Sequence, residues 1–184
     1  MIKEELSYSY HRMSGSPFQK AMKILRTPGV HANIIFRIGH ALPQQPLFLR
    51  ILARPLYVYL RRRTAVKWGI SIGEGAEIGK HFWIAHFGGV FVDGDAVIGD
   101  DVSISHDVTI GKSGTGRRRG APTIGNGVYI APGAKIAGKI TIGNNVRIGA
   151  NAVVERDIPA NALVQTASVK VVIFPSYAQY PPGE

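Results

Sequence analysis

Residues 124–154 read IGNGVYIAPGAKIAGKITIGNNVRIGANAVV, and an aliphatic residue returns at every sixth position: Ile124, Ile130, Ile136, Ile142, Ile148 and Val154. Helices and ordinary strands repeat at about 3.6 and 2.0 residues, so neither accounts for a period of six. A hexapeptide parallel β-helix does. Each hexad supplies one short strand and one corner, and three hexads close a triangular coil.

The same period runs back through Ile110, Ile104, Ile98 and Val92, and again through Ile84, Ile78 and Ile72. Glycine follows the aliphatic residue at seven of these positions, among them Gly73, Gly99, Gly125 and Gly149. Four places after the anchor stands a small or β-branched residue, such as Ala76, Val102, Val128 or Ala152. The anchors fill the interior of the prism, and glycine tolerates the backbone angles of its corners. Thirteen anchors predict a little over four coils, held together by stacking, because one repeat cannot bury its own apolar face. A β-sandwich with chance spacing would need the glycines to fall into place by accident.

Two interruptions break the count. One is the polar excursion KSGTGRRRGA at 112–121, which carries Arg117, Arg118 and Arg119. Long irregular excursions from a rigid scaffold are common places for binding residues, although a solvated charge run reads the same way. The other is a slip of two residues between Ile84 and Val92, in IAHFGGVFV. Three hexads plus two residues separate Ile84 from Ile104, so these anchors share one prism face, one coil apart. His86 and His106 each stand two places after their anchor. Stacked strands lie about 4.8 Å apart, so the two imidazoles are expected to project from one face, one above the other. The inserted HFGG bulges and lifts His86 off the wall.

Composition sets further bounds. The chain has 184 residues, 45% of them apolar and none cysteine, which excludes disulfides, thiolate metal sites and a cysteine nucleophile. The start, MIKEELSYSY, shows no basic segment followed by an apolar core, so a cytoplasmic protein is expected. The net charge of +10 is concentrated at one end: residues 1–68 hold 12 Lys or Arg against 2 Asp or Glu, whereas 69–184 balance at 10 of each. A basic patch of this kind suits nucleic acid, an anionic lipid surface or an acidic polymer.

The N-terminal third has helical spacing. Ser16 and Pro17 form a cap and first turn, followed by Phe18, Ala21, Met22 and Leu25 on one face. A second segment runs from Pro28 through Ile34, Ile35 and Ile38 to Pro43. A third, Leu47 to Val66, is expected to kink or break at Pro55. The organisation expected is therefore a basic α-helical region at 1–68, a β-helix domain at 69–164 and a tail at 165–184.

These segments resemble the left-handed β-helix acyltransferases, and most nearly serine acetyltransferases and short colanic-acid-type polysaccharide O-acetyltransferases. PGVHANIIFRIGHAL, IAHFGGVFVDGDAVIGDDVSISHDVTIG and residues 124–154 carry the likeness. The resemblance implies a homotrimer with active sites between neighbouring prisms, acetyl-CoA as acetyl donor, no metal and no nucleic-acid partner. His86 falls on the catalytic histidine of that motif. A neutral hydroxyl is a poor nucleophile near neutral pH, and histidine is the side chain matched to removing its proton. His86 is then general base on the acceptor and general acid to the departing thiolate. His106 contacts the acceptor or pairs with His86, or is merely exposed. Backbone N–H groups of Gly88 and Gly89 are candidates for oxyanion stabilisation. Asp93 and a backbone carbonyl are candidates for orienting His86. For the cofactor, Gly111, Ala131, Pro132, Ala137 and Ala150 leave a shallow groove for a pantetheine arm, and Lys139 and Lys170 are charges for its phosphates.

The sequence departs from serine acetyltransferases at telling places. They have Asp immediately before the catalytic histidine, where this chain has Ala85, and a substrate-holding histidine where this chain has Ala121. A zwitterionic acceptor needs charged partners, and leaving its charges unpaired costs several kcal/mol. A sugar hydroxyl makes no such demand, so a carbohydrate acceptor ranks first and serine second. Segment 47–63, basic and apolar, suggests peripheral contact with a membrane. The γ-class carbonic anhydrases share the prism, and HFWIAH with His106 has a suggestive spacing for zinc, but their Asn-x-Gln-Asp segment is absent. A non-catalytic prism is the remaining reading.

Overall fold

The computed structural model describes residues 1–115 and 119–166; Arg117, Arg118 and Lys170 lie outside them. The described residues form three parallel sheets that wind into one solenoid, preceded by a layer of helices. The first sheet stacks β1 (Ile70–Ile72), β4 (Val90–Val92), β7 (Thr109–Gly111), β10 (Lys135–Ala137) and β13 (Val153–Val154). The second stacks β2 (Glu77–Ile78), β5 (Val97–Ile98), β8 (Thr123–Ile124) and β11 (Thr141–Ile142). The third stacks β3 (Trp83–Ile84), β6 (Ser103–Ile104), β9 (Tyr129–Ile130), β12 (Arg147–Ile148) and β14 (Leu163–Val164).

Anchors pair with anchors throughout, for example Val92 with Ile110 and Ile142 with Ile124. Ile104, Ile110, Ile130, Ile136, Ile142 and Ile148 are wholly buried, and the small residues four places on, such as Ala76 and Val102, close the same core. The period of six is thus the period of interior positions. The solenoid runs further than the thirteen anchors predict: Ile158 bridges to Ile142, and Leu163–Val164 adds a strand beyond Val154. The chain reaches these positions through RDIPAN, which departs from the glycine-marked hexad and hides the continuation.

Four α-helices precede the sheets among the described residues: α1 (Ile2–Arg12), α2 (Pro17–Arg26), α3 (Pro28–Ala41) and α4 (Leu47–Trp68). Ser16 caps α2 as expected, its hydroxyl accepting the Gln19 N–H while Gln19 Oε1 accepts the Ser16 N–H. The apolar face expected on α2 is not packed, for Phe18 and Leu25 are exposed. In α3 the buried side is Val30, Ala32, Asn33, Phe36 and Arg37, while Ile38 is exposed. α4 runs unbroken through Pro55. Pro55 sits on the exposed side of the helix, where its ring displaces no packing.

The unforeseen element is α1, whose Glu5 anchors the helical layer to the first coil. Glu5 and Arg37 form an ion pair of 2.9 Å with both side chains 3% exposed. Arg37 also donates to the carbonyls of Ile78 and Gly79, and Asn33 donates to Glu5 (3.0 Å) and to the Phe82 carbonyl (2.9 Å). The His81 N–H adds a third hydrogen bond to Glu5, at 3.0 Å. Burial pulls the Arg37 guanidinium pKa downward, and Glu5 opposes that pull. Such a network tolerates burial because its charges are paired and hydrogen-bonded.

Candidate functional site

The site lies at the corner where the third sheet turns into the first. Strand β3 pairs with β6 in the register Trp83 with Ser103 and Ile84 with Ile104. Two residues on, His86 and His106 leave the wall one above the other. Their ring centroids are 5.7 Å apart and the planes meet edge to face at 76°. Both residues are exposed.

The two extra residues form a loop pinned at both ends. Gly88 has φ of +100° and Gly89 of +65°, conformations that suit glycine. The Gly88 N–H donates to the carbonyl of Trp68, the last residue of α4, at 2.8 Å. Its own carbonyl accepts the Asp107 N–H at 2.7 Å. Val90 N–H then returns to the Gly69 carbonyl at 2.9 Å. The loop carrying His86 is therefore held between the end of α4 and the coil that carries His106. This removes Gly88 as an oxyanion donor, because its N–H is already committed.

From below, α3 presses on the same strand. A Cβ at Gly29 would stand 2.3 Å from the carbonyl oxygen of Ile84, so only glycine allows this approach. Sequence reasoning singled out neither Trp68 nor Gly29, although Gly29 lies in PGVHANIIFRIGHAL, one of the segments that carry the family likeness.

Asp93 does not orient His86. It follows β4, at the opposite end of the first sheet's strand, and its carboxylate accepts the Asp95 N–H at 2.9 Å in a local turn. Among the described residues neither His86 nor His106 has a hydrogen-bonding partner on its ring, whereas His81 Nδ1 lies 2.8 Å from Asp101 Oδ1. The acidic group nearest in sequence to the pair is Asp107, whose carboxylate takes Lys135 Nζ at 2.9 Å. His81 stacks on Tyr8 at 4.5 Å and belongs to the preceding corner. The three histidines of the zinc reading thus do not converge, and no described cluster of His, Asp or Glu has the arrangement of a metal site.

The residues expected around the cofactor divide between two corners. Pro132 and Ala150 continue the column of His86 and His106, and Ala131 is nearly buried beside them. The His106 carbonyl accepts the Gly133 N–H at 3.1 Å, which stacks the Pro132 corner directly on the histidine corner. Gly111, Ala137 and Lys139 lie at the other end of the first sheet, where Ala137 pairs with Gly111. Nothing lies within 4 Å of a Cβ built on Gly138, so the surface there is open. Ala137, Gly138 and Lys139, with Ser113, Glu155 and Arg156, line a cleft of about 460 Å³. The excursion leaves from that end too, its neck closed by reciprocal Ser113–Gly120 hydrogen bonds of 3.1 Å. Arg119 is exposed on it.

Comparison with known proteins agrees with the hexad solenoid. The family described as bacterial transferase hexapeptide (six repeats) matches residues 121–156. Serine acetyltransferase of Helicobacter pylori strain J99 is 39% identical over 171 residues, covering 91% of this chain and 96% of that protein. The chain belongs to the serine acetyltransferase family. The Mycobacterium tuberculosis serine acetyltransferase is 44% identical over 74% of the chain but 57% of its own length. Among solved structures, serine acetyltransferase isoform 3 of Entamoeba histolytica, in complex with cysteine, superposes with a TM-score of 0.75 at 31% identity. It is covered over 61% of its length, and this chain over 96%. The Neisseria gonorrhoeae enzyme in complex with serine gives a TM-score of 0.71 at 32% identity, covering 92% of this chain and 67% of that one. The family assignment makes this chain an acyltransferase. It matches nearly the whole Helicobacter enzyme and about three-fifths of several longer relatives.

Proposed function

We propose that this protein transfers the acetyl group of acetyl-CoA to a hydroxyl, with L-serine as the first acceptor to test. The observation that carries the reading is the paired imidazoles of His86 and His106 at a corner whose column continues into small residues. The ranking of acceptors changes from the one the sequence suggests. Relatives named serine acetyltransferases over nearly the whole chain favour serine above a sugar.

His86 takes the proton of the acceptor hydroxyl as its oxygen bonds to the acetyl carbon, and returns a proton to the sulfur as the thioester bond breaks. His106, at 5.7 Å, is placed to hold the acceptor against that base. Acetyl-CoA supplies the activated acetyl group. The open surface over Gly138 and the cleft at Ala137 and Lys139 fit a narrow arm and its anionic end. The histidines and the excursion stand at opposite ends of one sheet. A site shared between prisms of a homotrimer uses both, because one protomer's loop then reaches the next protomer's histidines.

A second reading keeps the chemistry and replaces the acceptor with an uncharged hydroxyl, such as a sugar unit. Ala85 and Ala121 favour it, since neither can meet a charge. The test is release of CoA thiol from acetyl-CoA with L-serine, comparing wild type with His86→Ala; a chain without cysteine adds no thiol signal. Serine turnover that depends on His86 supports the first reading. Acetyl-CoA binding with no turnover on serine, and turnover on a sugar, supports the second.

A further inference from the structure

The helical layer turns an apolar, cationic face away from the solenoid. In α4, Tyr57 and Thr64 are buried against the rest of the molecule. At 3.6 residues per turn, positions 48, 52, 59 and 66 point the opposite way. They are Phe48, Leu52, Tyr59 and Val66, between 59% and 79% exposed, with Ile51 and Leu56 beside them at 66% and 60%. A row of this kind on one helix exceeds the scattered apolar residues of an ordinary surface. The exposed Phe18 and Leu25 of α2 extend it, for Leu25 shares a groove of about 550 Å³ with α4.

Charge tells what covers this face. Residues 13–68 contain no Asp or Glu. Of the cations on α4, Arg54 and Arg61 are paired with Glu74, at 2.9 and 2.8 Å. Arg62 and Arg63 flank the apolar row, and Arg26, His31, Arg63 and Lys67 line the groove together with Trp68. A second copy of α4 packed on the first would set arginine against arginine without a carboxylate between them. An anionic interface that also accepts apolar side chains complements both properties at once. Among the described residues no helix is long and apolar enough to cross a membrane, so the contact lies along the surface.

We propose that the outward face of α4, extended by α2, docks the protein on an anionic bilayer, with Phe48, Leu52, Leu56 and Tyr59 in the acyl boundary and Arg62, Arg63 and Lys67 among headgroup phosphates. A helix with one apolar face and a cationic flank lies in the bilayer interface in this way. Each cation near the surface strengthens binding about fivefold, which corresponds to roughly 1 kcal/mol. The docking is independent of the acceptor.

The test is co-sedimentation of the full chain with vesicles of phosphatidylcholine, alone or mixed with phosphatidylglycerol. Binding to the mixed vesicles only, weakened by salt, is expected. Phe48→Glu with Leu52→Glu abolishes it, and Arg62→Ala with Arg63→Ala weakens it about fivefold per residue. These side chains point to solvent, so the variants keep their helical content and elution volume. Absence of vesicle binding overturns the proposal, as does equal binding to both vesicle types or binding indifferent to Phe48→Glu with Leu52→Glu. A fall in oligomer size in the glutamate variant, with no wild-type vesicle binding, assigns the face to a second copy instead.

Discussion

The N–H of Gly88 donates to the carbonyl of Trp68 at 2.8 Å, so the last residue of α4 holds the loop on which His86 stands. The helical layer is therefore part of the site's scaffold. Its tip, the catalytic-motif loop and the Asp107 coil form one hydrogen-bonded chain.

Gly88→Ala tests that chain. No atom lies within 4 Å of the added Cβ, so the cost is backbone strain at φ of +100°, about 1–3 kcal/mol. The expected result is a fall in kcat with KM for acetyl-CoA little changed, measured by thiol release. An unchanged kcat would detach the loop's shape from catalysis.

Gly29→Ala acts on the same strand from beneath. Its Cβ would meet the backbone of Ile84, which cannot rotate away, and overpacking of this kind costs about 1–3 kcal/mol. Urea unfolding should show the loss, and activity should fall with it because β3 leads directly into His86.

Replacing His86 by Ala should lower kcat by about 10²–10⁴-fold, the usual contribution of general base catalysis. His106→Ala should raise KM for the acceptor more than it lowers kcat. A combined variant no worse than His86→Ala alone would show that the two act as one unit.

The acceptor can be probed by restoring what the family has. Ala85→Asp with Ala121→His supplies a carboxylate beside the base and a second polar group for a zwitterion. Hydrogen bonds to charged groups contribute about 1.5–3 kcal/mol, so kcat/KM for L-serine should rise at least tenfold if serine occupies this site. A sugar acceptor would gain nothing.

Removing Glu5 should destabilise the fold by about 3–5 kcal/mol, because Arg37 is then left buried and charged. Urea unfolding of Glu5→Ala at fixed protein concentration measures it. Replacing the pair by apolar residues of similar volume should recover most of the loss.

The solenoid was legible in the chain because its core is periodic: an interior position every six residues leaves a mark that chance does not imitate. The same count, with its slip of two, is enough to place His86 over His106. What surrounds them was not legible. The Glu5–Arg37 pair joins residues 32 apart, and Asp93 directly follows the anchor Val92 yet faces a different corner from His86. The commitment of the Gly88 N–H to Trp68, and the outward turn of α2's apolar face, likewise depend on how the helices lie on the first coil. Local repetition decides which residues enter the prism. Only packing between distant segments decides which polar groups are satisfied there and which faces remain for a partner.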